Sequence, residues 1–226
     1  MRYILTGWLL LGTLLAARAQ MHKSLLFNGK PLPGTYILNA DRQTRRTANL
    51  RVYARELLAQ DDQGHTTHYK PAEVYWVRIG RLRYTTAQGF KTKSGLLAAR
   101  QAGRLFVEVV DSGQISLFRY RSYVGGPNSV TTELETYMLR QAPADSVVTV
   151  PVSAYTGKGK RFREVLLPYL ISRPDLRQLV EYGAITIDTL PALLHAFNSG
   201  EPFPFTTIGR PAANPPPAAV QDPAGH

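Results

Sequence analysis

The sequence predicts an α+β protein, in which an N-terminal antiparallel β-rich region, either a sheet or a partly open barrel, precedes a small C-terminal helical segment. Before residue 155 the apolar residues form short alternating runs separated by turn residues, as in antiparallel strands. After residue 155 they recur every three to four residues, as in amphipathic helices. The predicted organisation is a signal peptide over residues 1–19, a β-rich domain over 20–155, a helical segment packed on or beside it over 156–200, and a disordered proline-rich tail over 201–226.

The first 19 residues are organised like a secretory signal peptide. Arg2 supplies a positive start, Ile4–Leu15 is mostly apolar, and Ala17–Ala19 follows the small-x-small cleavage rule. The apolar run is about a dozen residues long, whereas a helix that spans a bilayer needs about 20. We therefore expect cleavage after Ala19 and export to the periplasm or the extracellular space, with no transmembrane segment in the mature chain.

Alternation and turn residues predict the strands. Asn49–Arg55 alternates apolar and polar positions, which predicts a half-buried strand, and Glu73–Ile79 is apolar on both faces, which favours a central position. The clearest hairpin joins Arg104–Val110 to Gln114–Tyr120. We expect Gly113 in its turn to adopt the positive φ of a three-residue hairpin loop. Further strands are predicted at Gly34–Asn39, His65–Tyr69, Arg81–Thr85, Tyr137–Gln141 and Ser146–Val150.

Three short helices are predicted in the second region. Pro168 lies near the end of the first helix, and we expect it to kink the helix or to loosen its last turn. Pro174 suits the first position of the second helix, and Gly183 follows that helix. Gly200 ends the third helix. The residues predicted to be buried on the third helix are Leu190, Leu193, Leu194 and Phe197.

The amino-acid composition excludes several kinds of chemical site and indicates the charge of a binding partner. The absence of cysteine excludes disulfides, thiolate metal sites, iron–sulfur clusters and cysteine nucleophiles. The formal charge is +11, and removal of Arg2 and Arg18 with the signal peptide leaves 25 basic and 16 acidic residues, or +9. On an exported protein, this charge points to an anionic envelope component, such as an acidic glycan or lipopolysaccharide, or to an envelope protein, rather than to nucleic acid. Alternatively, the excess arginine reflects compositional bias and lies on solvated faces.

Two groups of basic residues are candidate sites for a polyanion. One precedes and begins the first helix, and the other shares one face of a strand, where residues two apart point the same way. The candidate ligand-binding residues are Lys158, Lys160, Arg161 and Arg163 in the first group and Arg119 and Arg121 in the second. Arg78, Arg81 and Arg83 extend the second group, and nearby aromatic residues make it resemble strands that bind sugars or nucleic acid single strands.

The sequence gives little indication of catalysis. It contains no GxSxG, HExxH or SxxK pattern, and we expect no cofactor and no metal site. His65 and His68 lie three apart in a predicted strand, so their side chains point to opposite faces. Glu108, Glu133 and Glu135 leave one alternative, an extracytoplasmic hydrolase with a carboxylate pair, which predicts a concave pocket where two acids converge.

Several short segments carry a family resemblance. They are Tyr69–Val74 leading to Arg83 and Tyr84, Phe106–Val110, Ser116–Tyr120, Leu167–Leu170 before Pro174–Leu176, and Leu193–Asn198. In these segments the chain resembles a group of uncharacterised exported proteins of Gram-negative bacteria, over roughly residues 34–200. The resemblance implies export and a strands-then-helices layout, and it implies no catalytic residues. We therefore expect a non-enzymatic binding or structural protein of the cell envelope, with an accessory subunit as a further alternative.

Overall fold

The computed structural model describes residues 30–94, 97–124, 132–142, 146–151 and 159–205. These residues form a large antiparallel sheet, a separate two-stranded hairpin and a few small C-terminal helices, which confirms the predicted α+β class. The strands are β1 (Leu32–Leu38), β2 (Asp41–Val52), β3 (Leu57–Gln60), β4 (Thr66–Tyr69), β5 (Val74–Ile79), β6 (Leu82–Ala87), β7 (Lys91–Ser94), β8 (Leu97–Gln101), β9 (Leu105–Asp111), β10 (Ile115–Val124), β11 (Thr132–Gln141) and β12 (Val148–Thr149). The helices are α1 (Lys160–Leu166), a 3₁₀ helix (Leu167–Leu170), α2 (Pro174–Glu181) and α3 (Leu190–Ser199).

The ten-stranded sheet has the order β12-β11-β10-β9-β6-β5-β1-β2-β3-β4, and all its pairs are antiparallel. It is not closed, and β12 and β4 lie at its edges. β9 and the end of β2 nevertheless meet across the sheet, since the backbone amide of Phe106 in β9 donates to the carbonyl of Ala54, just after β2, at 2.9 Å. β9 pairs with β6 because the β7–β8 hairpin leaves the sheet between them.

The turn between β9 and β10 lies within one residue of its predicted position, but the prediction for its glycine is wrong. Gly113 is not among the described glycines with a positive φ. It is instead a site of close approach, since a Cβ atom there would lie 2.5 Å from Cγ of Asn198 on α3. The Asn198 side chain accepts from the amide of Ile115 at 3.1 Å and donates to its carbonyl at 2.7 Å. This contact joins the end of α3 to the hairpin.

Two clusters of buried apolar side chains stabilise the fold. The first lies among the strands and includes Leu50, Val77 and Phe106. The second lies between the helices and one face of β10 and β11, where Leu117 and Leu139 are fully buried. The four residues predicted for the buried side of α3, Leu190, Leu193, Leu194 and Phe197, all belong to this second cluster, which confirms the helical period.

The helical region follows its predicted stop signals. α1 passes at Leu167 into the 3₁₀ helix that contains Pro168, and Gly183 and Gly200 both have positive φ after α2 and α3. Phe203 is buried against the helices, so the packed chain extends past the predicted boundary at residue 200. Residues 206–226 and the predicted signal peptide lie outside the described residues. Within the described residues, no helix is long and apolar enough to cross a membrane.

Candidate functional site

A groove of about 600 Å³ lies across β5, β6, β9, β10 and β11, with the start of β2 at its rim. It carries four arginines, namely Arg42, Arg83, Arg104 and Arg140. Its aromatic residues are Tyr75, Trp76 and Phe118, and its hydroxyl side chains are Thr85, Thr86, Ser112 and Ser116. Among the described residues, no aspartate or glutamate lines it. The groove is therefore basic, aromatic and rich in neutral hydrogen-bonding groups.

Strand alternation and cross-strand register create this groove. Ser116 and Phe118 lie two apart on β10 and both line it, whereas Leu117 between them packs into the cluster beneath the helices. Ser116 lies directly opposite Arg140 on β11, and Phe118 lies opposite Val109 on β9. The groove therefore occupies the sheet face that the helices leave uncovered in this region.

Two of the four arginines stack on aromatic rings. The guanidinium carbon of Arg42 lies 4.6 Å from the ring centroid of Tyr75, and that of Arg140 lies 4.7 Å from the ring centroid of Phe118. Such contacts attract a cation to the negative face of the ring and hold a flexible side chain in one place. They leave the hydrogen-bonding edge of each guanidinium, which binds anions through paired N–H groups, available to a ligand.

The remaining contacts of these arginines are to neutral groups. Arg83 Nη1 donates to Ser112 Oγ, and Arg104 Nη2 donates to Gln88 Oε1, both at 3.3 Å. Arg42 Nη2 donates to Asn39 Oδ1 at 3.3 Å. In the described part of the chain, none of the four arginines forms an ion pair with a carboxylate. Four positive charges thus share a concave surface without a described counter-charge, and such a surface raises the local concentration of anions.

Arg119 and Arg121, predicted to bind a polyanion, occupy a different environment. Arg119 Nη2 lies 2.9 Å from Glu108 Oε1, and Arg119 Nη1 lies 3.1 Å from Glu135 Oε1. Arg121 Nε lies 3.2 Å from both Glu133 Oε1 and Glu135 Oε1. Two arginines and three glutamates therefore form one ion-pair network. The glutamates compensate the positive charge of the two arginines that the sequence predicts to bind a ligand.

The register of four strands builds this network. Tyr84, Glu108, Arg119 and Tyr137 are direct neighbours across β6, β9, β10 and β11. Burial raises the pKa of Tyr84 to about 12, and the charge of Glu108 adds to that shift. Burial also raises the pKa of Tyr137, whose hydroxyl donates to Glu135 at 3.0 Å. Burial of Arg119 lowers its pKa, but its hydrogen bonds to Glu108 and the nearby negative charge outweigh burial and raise the pKa.

The other predicted basic group lies only partly within the described residues. Lys158 falls outside them, whereas Lys160, Arg161 and Arg163 belong to α1. Lys160 Nζ lies 3.8 Å from Glu164 Oε1 on the same helix, and its side chain is 85% exposed. This group is a short solvated helical segment, and its role in binding stays a prediction.

The predicted catalytic and metal-binding candidates are placed as follows. Glu108, Glu133 and Glu135 do converge, but arginine side chains lie between them, and none of the three lines the groove. His65 Nδ1 lies 3.3 Å from Asp61 Oδ2, and His68 Nδ1 lies 3.2 Å from Glu56 Oε2, so each exposed imidazole has its own carboxylate partner. Among the described residues, no three metal-ligating side chains cluster.

The fold and the groove together define an α+β protein with an open antiparallel sheet and a basic groove on one face. No family model matches the chain, and neither a curated protein nor a solved structure shows significant similarity to it. The resemblance to exported proteins of Gram-negative bacteria therefore stays a prediction.

Proposed function

We propose that this chain is an exported, non-enzymatic binding protein of the bacterial cell envelope, and that its groove binds an anionic envelope component. The observation that carries the proposal is the set of four arginines, Arg42, Arg83, Arg104 and Arg140, which line one groove with neutral and aromatic partners. An arginine whose neighbours are neutral keeps its full attraction for a ligand anion.

The volume of the groove and the fixed positions of its arginine side chains support binding of a specific ligand rather than a general attraction by surface charge. Its volume of about 600 Å³ lies in the range of roughly 300–1,000 Å³ that ligand sites occupy. All four guanidiniums are already held by rings or hydrogen bonds, so a ligand would lose less affinity to side-chain ordering. We expect the affinity to fall as salt is added, because screening weakens attraction between exposed charges.

Export is supported by the sequence features of residues 1–19, and the mature chain would carry a formal charge of +9. A basic protein outside the cytoplasm meets anionic envelope polymers before it meets nucleic acid, which favours the former as the partner. The intact mass of the exported chain tests this half of the proposal, since cleavage after Ala19 leaves a chain that begins at Gln20.

The hydrolase alternative has less support from the arrangement of its carboxylates. A glycosidase needs one carboxyl group that can donate a proton and a second that attacks or activates water. Here both oxygens of Glu108 accept hydrogen bonds from Arg119, and Glu135 accepts from Arg119, Arg121 and Tyr137. These contacts occupy the carboxylates that the reaction would need. The accessory-subunit alternative stays a prediction.

A matched pair of double variants tests the groove. The chain beginning at Gln20 is first tested for retention on immobilised heparin, used as a general polyanion probe. Its affinity for heparin in solution is then measured by calorimetry at low salt. Arg83→Gln with Arg104→Gln removes two groove charges and is expected to weaken binding about tenfold or more, from about 1 kcal/mol per charge-assisted contact. Arg161→Gln with Arg163→Gln removes two charges from α1 and is expected to change the affinity less than about twofold.

The pair separates the two candidate sites because both variants lose the same net charge. Loss of binding only in the α1 variant would assign the polyanion to the helical group and overturn the groove proposal. Equal small losses in both variants would show a diffuse charge effect, which also contradicts it. Circular dichroism checks that both variants keep the fold.

A further inference from the structure

We propose that the ligand of the groove is an acidic carbohydrate, that is, a chain of sugars that carries carboxylate or phosphate groups. This inference rests on the proposed function, because it names the class of anion that the groove binds. It comes from the residues that lie between the arginines. Those residues distinguish a sugar acid from a polymer that consists only of phosphate.

The first argument is the neutral polar lining of the groove. The lining includes the hydroxyl residues Thr85, Thr86, Ser112 and Ser116 and the amide residue Gln88, and the Thr85 hydroxyl donates to the Tyr75 carbonyl at 3.2 Å. A hydroxyl both donates and accepts hydrogen bonds, so it complements the hydroxyls of a sugar in either sense. A polyphosphate offers acceptors alone and would leave the acceptor capacity of these side chains unused. Arginines among hydroxyl groups therefore match a ligand whose anionic groups are separated by hydroxyls.

The second argument is Trp76, which is half-buried in β5 and lines the groove. A sugar ring has one face of C–H groups, which gain dispersion energy against an aromatic ring and meet its negative face with their positive hydrogens. Trp76 can offer such a face to one sugar ring. The same residue adds nothing to the binding of a bare inorganic anion.

The aromatic residues also argue against a nucleic acid single strand. Proteins that bind single strands stack successive bases on a series of aromatic side chains. In this groove Arg42 already lies over the ring of Tyr75, and Arg140 lies over that of Phe118, which is 1% exposed. Trp76 is therefore the aromatic residue of the groove whose ring no described guanidinium covers. One such platform suits a sugar ring better than a run of bases.

The fluorescence of a tryptophan in the groove can report ligand binding. Trp8 and Trp76 are the two tryptophans of the sequence, so in a chain that begins at Gln20 the intrinsic tryptophan fluorescence comes from Trp76 alone. Four probes of similar length are titrated against this chain at one ionic strength: oligogalacturonate, a neutral glucan oligosaccharide, inorganic polyphosphate and a single-stranded oligothymidylate. Oligogalacturonate is expected to shift the Trp76 emission and to bind at least about tenfold more tightly than the neutral glucan, from the arginine contacts. A phosphorylated oligosaccharide as a fifth probe tells carboxylate from phosphate sugars.

Variants separate stacking from charge. Trp76→Leu, followed by calorimetry, is expected to weaken oligogalacturonate binding about five- to tenfold, as loss of an aromatic platform does for other stacked rings. It is expected to leave polyphosphate affinity unchanged, whereas Arg83→Gln with Arg104→Gln weakens both. Trp76→Phe keeps a ring at the same position and is expected to give an intermediate loss, which keeps the test informative if Trp76→Leu does not fold.

The outcomes distinguish this inference from the proposed function. If polyphosphate or oligothymidylate binds as tightly as oligogalacturonate, or if Trp76→Leu weakens all probes equally, the carbohydrate inference is overturned and anion binding stands. If no anionic probe binds in a way that depends on the groove arginines, both proposals are overturned. Binding of the neutral glucan with equal affinity would also contradict both.

Discussion

The two faces of one sheet use arginine in opposite ways. On β10, Arg119 and Arg121 point toward three glutamates from β9 and β11 and form the ion-pair network. On the other face, Arg140 lies over the ring of Phe118, within a groove whose described lining includes no acidic residue. The residue type is the same, and the difference lies in what the cross-strand register places opposite. An arginine opposite a glutamate stabilises the fold, whereas an arginine opposite serine and above phenylalanine stays available to a ligand.

The largest effect that this contrast predicts is on stability, at Glu108. Its side chain is 12% exposed, and its partner Arg119 is 21% exposed, so removal of the carboxylate leaves a mostly buried guanidinium with less compensation. Glu108→Ala is expected to lower the free energy of unfolding by about 3 kcal/mol, the lower end for a broken buried pair. Urea unfolding followed by circular dichroism measures the change.

Glu133 supplies the matched control for Glu108. Its side chain is 42% exposed and contacts Arg121 at the rim of the same network. Glu133→Ala is expected to cost about 0.5 kcal/mol, as exposed ion pairs do. Equal, small losses from the two substitutions would show that the network is a solvated surface feature and would remove its contrast with the groove.

The next largest effect is the pH dependence of the unfolding free energy that Tyr84, next to the ion-pair network, confers. The pKa of Tyr84 is about 12 in the folded chain against an ordinary 10.0, so the folded state holds this proton more tightly than the unfolded state does. The corresponding stability is fully present below pH 10 and is lost as the pH rises from 10 to 12, and a shift of this size corresponds to about 2.7 kcal/mol. Tyr84→Phe is expected to flatten the fall in unfolding free energy over this window, measured by denaturation at several alkaline pH values.

Tyr36 is a second tyrosine for comparison, since burial raises its pKa to about 12 as well, and Tyr69 rather than a glutamate adds to that shift. If Tyr84→Phe leaves the alkaline loss unchanged while Tyr36→Phe abolishes it, Tyr84 is not the group that titrates with unfolding.

Much of the fold could be predicted from local patterns of apolar residues in the sequence. The β9–β10 hairpin and the buried side of α3 were both predictable, because apolar periodicity reports which side of an element is covered. The first half of β2 was not, since residues 42–47 are all exposed and polar. That stretch is a strand because its backbone pairs with β1, and backbone pairing has no sequence period.

The site was harder to predict than the fold because it depends on strand order. Arg83 drew attention as a basic residue beside aromatics, but Arg104 and Arg140 lie far from it in the sequence. They share a groove with Arg83 because β9 pairs with β6, past the β7–β8 hairpin, and with β10. The ion pairs of Arg119 could not be predicted for the same reason, since Glu108 and Glu135 become its neighbours only through the register of β9, β10 and β11. Gly113 shows the limit of a turn rule, because it makes room for a side chain from a distant helix.

The smallest effect that the contrast predicts is a local one, at Trp76. Quenching of its fluorescence by iodide is expected to exceed quenching by caesium about threefold at low salt, because the four arginines concentrate anions in the groove. Arg83→Gln with Arg104→Gln should bring the ratio toward one while changing the unfolding free energy by less than about 0.5 kcal/mol per substitution, since neither arginine forms an ion pair with a described carboxylate. Arg55→Gln, at an exposed position outside the groove lining, serves as the control and should leave both quantities unchanged. Equal quenching by the two ions in the unsubstituted chain would mean that the groove is not electropositive, and the distinction between the two faces would then rest on the ion-pair network alone.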